Sequence, residues 1–172
     1  ANIHIYIAGN LTDQNINAST FTNNSNGFYM GTINVNNSIE NKPTLHFNGN
    51  NTTQIVTGSA ANSGSRGGLF TGITLPNVVI DGTNTTFFTG SALRIRGATH
   101  IKASNKLLVA GASYGYYGFL LNDGAIASTP PHGYFVTLRI DSGATFEAEP
   151  GANIFIHPRS KIFADTNSNL NL

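Results

Sequence analysis

Between Leu138 and Leu172 an apolar side chain returns at every eighth position, in two parallel columns. One column holds Leu138, Phe146, Ile154, Ile162 and Leu170; the other, two residues later, holds Ile140, Ala148, Ile156, Ala164 and Leu172. In a chain that is 40% hydrophobic, ten matches at ten fixed positions arise about once in ten thousand by chance, before allowing for the choice of register. Residues two apart lie on one face of a strand, so each octad reads as one short strand and one joint. An earlier stretch keeps the phase through Leu93/Ile95, Ile101/Ala103 and Val109/Gly111. A rougher version runs through Phe70/Gly72, Val78/Ile80 and Thr86/Phe88.

Helix signals are nearly absent. No window sustains apolar spacing at i, i+3, i+4 and i+7, and the abundant Asn, Thr and Gly are poor helix formers. Alternating segments dominate: Ile3, Ile5 and Ile7 share one strand face, with His4 and Tyr6 on the other. Further strand-like runs are Gly31–Val35, Thr44–Phe47, Gln54–Thr57, Asn77–Ile80, Ala92–Ile95, Lys106–Val109 and Tyr134–Ile140. The chain reads as one all-β domain, Asn/Thr/Ser-rich and irregular over residues 1–68 and octad-patterned over 69–172.

Two architectures place short strands at this spacing. In an antiparallel sandwich or jelly roll the chain reverses after each strand; in a parallel β-solenoid, or β-helix, it turns a corner and continues. Tight reversals favour Asn-Gly or Asp-Gly pairs. The joints here are Ser142-Gly143, Pro150-Gly151, Pro158-Arg159 and Thr166-Asn167. Proline fixes φ near −65°, which suits a bend better than a primed turn. The favoured reading is a solenoid with about three short strands per coil, and the alternative is the antiparallel sandwich. Three octads per coil stack Leu138 under Ile162, Phe146 under Leu170 and Ile140 under Ala164.

The string IDSGATFEAEPGANIFIHPRSKIFAD, residues 140–165, resembles the GA-x-apolar-x-apolar coils of parallel β-helix surface proteins. Autotransporter and filamentous-haemagglutinin-like passengers and some phage tailspikes are built of such coils. The likeness covers roughly residues 70–112 and 134–172. It implies a parallel β-helix at a cell or virion surface.

Charge excludes some partners. Only 10% of residues are charged and the formal net charge is +1, so composition gives no case for nucleic acid or an anionic membrane. There is no cysteine, hence no disulfide framework or thiol chemistry. No apolar run reaches membrane-spanning length. The chain starts at Ala1 without a signal-peptide core, which suggests a mature or trimmed form.

No signature of a nucleotide-binding loop, a zinc protease helix or a nucleophile elbow is present. The chain is therefore expected to be no enzyme and to need no cofactor. The five histidines, His4, His46, His100, His132 and His157, stand singly, with no second ligand at a usual metal spacing. Asp141 and Asp165 would stack directly in a 24-residue coil, so either Ca²⁺ or a neighbouring cation such as Arg159 or Lys161 must offset their repulsion.

Phe155 and Phe163 fall between the core columns, where a free surface rarely carries aromatics, so they are candidate subunit-interface residues. Ile3, Ile5, Ile7, Leu170 and Leu172 join them, because the strand pattern runs to both ends without a capping helix. Bare solenoid ends are templates for another chain. Tyr114, Tyr116, Tyr117, Glu147 and Glu149 are candidate glycan contacts, the tyrosines for stacking and the carboxylates for hydroxyl groups. The expected function is a non-catalytic extracellular or cell-surface structural protein or adhesin. Its main partner would be itself, in a filament, fibre or sheath. The alternative is a phage tailspike or tail-fibre segment at a virion surface, binding polysaccharide.

Overall fold

A computed structural model describes residues 3–12, 32–33, 39–40, 43–58, 74–90, 93–95, 97–110, 119–121, 137–152, 154–156 and 160–172. Those residues form strands, bends and turns, with no helix among them. Six strands make the first sheet, in the order β1 (His4–Ile7), β5 (Thr44–Phe47), β8 (Asn77–Ile80), β11 (Thr99–Ile101), β14 (Thr137–Ile140) and β17 (Lys161–Ala164). Six more make the second: β2 (Leu11–Thr12), β6 (Asn50–Gly58), β9 (Thr83–Gly90), β12 (Lys106–Val109), β15 (Thr145–Ala148) and β18 (Asn169–Asn171). The third holds β7 (Thr74–Leu75), β10 (Leu93–Ile95), β13 (Phe119–Leu121) and β16 (Ile154–Ile156).

Every pair within these three sheets is parallel. The described antiparallel ladder is the short pair β3 (Thr32–Ile33) and β4 (Ile39–Glu40). An antiparallel sandwich or jelly roll is thereby overturned. A parallel neighbour cannot be reached by a tight hairpin, so the chain must travel through other strands between partners. It does so here: β14 and β15 are consecutive in sequence but belong to different sheets.

Register carries the sequence columns directly into the core. Leu45, Val78, Thr99, Leu138 and Ile162 face one another across the first sheet, followed two residues later by Phe47, Ile80, Ile101, Ile140 and Ala164. In the second sheet the row is Gln54, Thr86, Leu107, Phe146 and Leu170. The pairings Leu138 with Ile162, Ile140 with Ala164 and Phe146 with Leu170 are those expected from the octads. Leu45, Phe47, Val78, Ile80, Ile101, Leu107, Leu138, Ile140 and Phe146 are fully buried in one cluster. Each such side chain contributes about 1.5–3 kcal/mol relative to exposure.

The step between partners is not constant. It is 24 residues from Leu138 to Ile162, 21 from Val78 to Thr99, and 33 from Leu45 to Val78. From Thr99 to Leu138 it is 39. The expected 24-residue spacing therefore holds for the final step alone among these four. Strands from both sides of residue 68 share the sheets, since β5 pairs β8 and β6 pairs β9.

Three joints between the first and second sheets, β11 to β12, β14 to β15 and β17 to β18, share one geometry. Ser104, Gly143 and Asn167 each have positive φ, at 63°, 75° and 64°, and each precedes an amide that closes a turn. Those closures run from Asn105 N to Lys102 O, Ala144 N to Asp141 O and Ser168 N to Asp165 O, at 2.9–3.2 Å. Gly and Asn tolerate the left-handed region best. The Ser142-Gly143 and Thr166-Asn167 joints thus bend the chain from sheet to sheet. Pro150-Gly151 also lies in a turn, where Ala152 N donates to Glu149 O and Gly151 takes φ 83°. Pro158-Arg159 lies outside the described residues.

Candidate functional site

Side chains alternate across a strand, so the position between the two core columns of the first sheet faces outward. Read along the sheet, that position holds Tyr6, His46, Val79, His100, Arg139 and Phe163. The residue just past the strand is acidic three times, at Asp81, Asp141 and Asp165. Basic group and carboxylate meet diagonally, each reaching one strand onward. His46 Nδ1 lies 2.9 Å from Asp81 Oδ2, His100 Nε2 lies 2.9 Å from Asp141 Oδ1, and Arg139 Nη2 lies 3.5 Å from Asp165 Oδ2.

Additional charges complete the row. Arg139 Nε donates to Asp141 Oδ1 at 2.9 Å, and Lys102 Nζ stands 3.5 Å from Asp81 Oδ2. At the β1 end His4 Nδ1 and His46 Nε2 are 2.9 Å apart. Tyr6 stacks on His46 with ring centroids 4.5 Å apart and an interplanar angle of 23°. His46 is nearly buried, whereas His4 is exposed.

Partial burial by itself pushes the Asp141 carboxyl up. The hydrogen bonds from Arg139 and His100, with their charges, outweigh it and hold Asp141 below the usual carboxylate range. Arg139 is raised from its ordinary value by its hydrogen bond to Asp141 and by the charges of Asp165 and Asp141, so it stays cationic.

On the second sheet the outward row is Thr53, Thr85, Lys106, Thr145 and Asn169. Lys106 Nζ is 2.8 Å from Glu147 Oε2. With Asn51, Thr83 and Ser104, the row from Thr53 to Thr145 lines an open polar trough of about 850 Å³.

The expected site residues fall in several places. Asp141 and Asp165 do come together, and Arg139 bridges them; Arg159 lies outside the described residues. Among the described residues no group of three or more His, Asp or Glu side chains is arranged to hold a metal ion. Glu147 sits on β15 paired with Lys106, away from the histidine row. Glu149 follows that strand, with its amide donating to Val109 O. Tyr114, Tyr116 and Tyr117 lie outside the described residues. Phe155 is in β16 opposite Leu120, and Phe163 is 51% exposed in β17. Ile5 and Ile7 pack against the core from β1, while Ile3, Leu170 and Leu172 are exposed.

The histidines are what the sequence reading missed. His46 and His100 stand one residue before a core position, which marks them as outward, but their partners lie 35 and 41 residues further on. A Asp81–His46–His4 chain can hold and relay protons, because each imidazole nitrogen is either donor or acceptor according to tautomer. No helix among the described residues is long and apolar enough to cross a membrane. No protein family, curated protein or solved structure matches this chain.

Proposed function

We propose that this chain is a non-catalytic structural or adhesive protein of an extracellular or virion surface, coiled as a parallel β-solenoid of about three strands per turn and assembling end to end with copies of itself. The three-sheet strand order, in which each strand pairs with one from a neighbouring repeat of the chain, supports the coil. One observation carries the assembly: the core columns emerge into solvent at the last described strands. Ile162 is 37% exposed and Leu170 40%, although their counterparts Leu138 and Phe146 are fully buried. Among the described residues β17 and β18 are edge strands of their sheets, as are β1 and β2. Unpaired parallel edges over apolar side chains are templates for strand addition.

The register of such an addition follows from the columns. With β17 of one copy beside β1 of the next, Ile162 meets Ile5, Phe163 meets Tyr6 and Ala164 meets Ile7, so the core and the outward aromatic positions both continue. A repeated head-to-tail contact of this kind extends as a filament unless it closes into a ring. Sedimentation velocity across a concentration series tests it. Growth in size with concentration, suppressed in a double variant Ile162→Asp and Phe163→Asp, is the supporting result; a monomer at every concentration is the opposing one.

The open polar trough on the second sheet favours one further reading, binding of surface polysaccharide. Its hydroxyl, amide and ammonium groups at Thr53, Thr85, Asn51 and Lys106 match the donors and acceptors of sugar hydroxyls. A glycan array read with the wild type and with Thr85→Val and Lys106→Ala variants separates this from pure assembly.

A further inference from the structure

Among the described residues strand β1 has one hydrogen-bonded neighbour, β5. The ladder between them includes Thr44 N to Ile3 O at 2.8 Å and Asn48 N to Ile7 O at 3.1 Å. Its inward side chains Ile5 and Ile7 pack against the core but are only partly buried. Its outward side carries the His4–His46 bond, backed by Asp81.

Counting protons shows what that arrangement does. With both rings neutral, one N–H lies between His4 Nδ1 and His46 Nε2, and His46 Nδ1 donates to Asp81. A first added proton leaves the geometry intact: His46 becomes an imidazolium, donating to Asp81 through Nδ1 and to His4 through Nε2. A second proton cannot be accommodated, because N–H then faces N–H across 2.9 Å and two like charges adjoin. Asp81 balances one positive charge, and Lys102 Nζ already stands 3.5 Å from the same oxygen.

Among the described residues nothing nearby offsets the second charge. Tyr6 faces His46 from β1 through its ring, and β8 presents the uncharged Val79. From β11 and β14 the groups on this face are His100 and Arg139, with Asp141 engaged by both and Asp165 engaged by Arg139. We propose that His4, His46 and Asp81 form a proton-operated latch: protonation of both imidazoles releases strand β1 and uncovers the edge of β5. Imidazole is the side chain whose ordinary charge change falls between pH 5 and 8, so that interval is where the latch is tested. It is a property of the single chain and stands whether or not the chain assembles.

Hydrogen–deuterium exchange of the Thr44 and Asn48 amides, corrected for the intrinsic pH dependence of exchange, tests the proposal. Protection is expected to fall about tenfold or more between about pH 7.5 and pH 5, while amides of β12 and β15 keep theirs. In His4→Phe, where a ring remains but no second proton can be taken up, protection should be the same at both pH values. Asp81→Asn removes the anion that favours the imidazolium, so it should move the loss to lower pH. Unchanged protection of Thr44 and Asn48 in the wild type at pH 5 overturns the proposal, as does an equal loss in His4→Phe. Because His4 is an exposed edge residue, both variants can be checked for native protection in β12 and β15 first.

Discussion

The imidazole of His100 reaches one strand onward to Asp141, Nε2 to Oδ1 at 2.9 Å, as His46 reaches Asp81 at the same distance. These bonds tie successive strands of the first sheet on its outer face, where the backbone ladder alone would otherwise hold register. Asp141 shows the consequence for acid stability. A carboxyl held below its ordinary value stabilises the fold above the ordinary range, and that stability is lost as pH falls through the lowered value. Asp141→Asn should therefore cost about 1 kcal/mol at pH 6, in the range of partly exposed charged pairs. The difference from wild type should shrink and then vanish as pH falls through the lowered Asp141 value, as read by urea titration at each pH.

Asn105 is buried at the joint between β11 and β12, and its amide nitrogen reaches the carbonyls of Ala103 at 2.9 Å, Lys102 at 3.2 Å and Gly82 at 3.4 Å. At the equivalent places Ala144 and Ser168 follow the positive-φ residue, so a small side chain fits but leaves those carbonyls without this donor. Asn105→Ala should lower unfolding free energy by about 2 kcal/mol, measured by chemical denaturation.

Gln54 occupies an inward position of β6, in the row that elsewhere holds Leu107 and Phe146. Its Nε2 donates to Ile7 O at 2.6 Å and Gly9 O at 2.8 Å, and its Oε1 accepts from Gly49 N at 2.8 Å. Gln54→Leu keeps the volume but removes the side-chain partner of Ile7 O, Gly9 O and Gly49 N, leaving Ile7 O its bond from Asn48 N. We expect a loss of about 2–3 kcal/mol, with exchange protection falling first around residues 7–9 and 49.

Two glycines with positive φ should respond differently to alanine. A Cβ on Gly82 (φ +88°) would sit 2.6 Å from the backbone oxygen of Gly49, whereas one on Gly143 (φ +75°) meets nothing within 4 Å. Gly143→Ala should cost about 1 kcal/mol, from backbone conformation alone, and Gly82→Ala distinctly more. Equal thermal shifts for the two variants would contradict this picture of the joints.

Legibility followed the spacing between partners. Leu138 and Ile162 could be paired from sequence because the step between them contains three unbroken octads, and inward positions recur without insertion. The 39-residue step from Thr99 to Leu138 breaks that phase, so nothing in the local pattern says which residue of β14 lies beside Thr99. The same fact hid the histidine–aspartate bonds. Outwardness of His46 and His100 is a two-residue pattern, but their partners depend on unequal steps that only the sheet register supplies. Gln54 shows a different limit, since the run Gln54–Thr57 reads as a strand but nothing in it says that the amide turns inward onto Ile7, Gly9 and Gly49.

The central claim is that the ladder of one copy continues into the next. Electron microscopy of the purified chain at tens of micromolar tests it most directly, through the axial repeat. Six strands stack in each of the two larger sheets, and at the parallel spacing of about 4.8 Å the account predicts filaments with a repeat of about 29 Å per copy. Discrete particles of single-chain size at that concentration would contradict it.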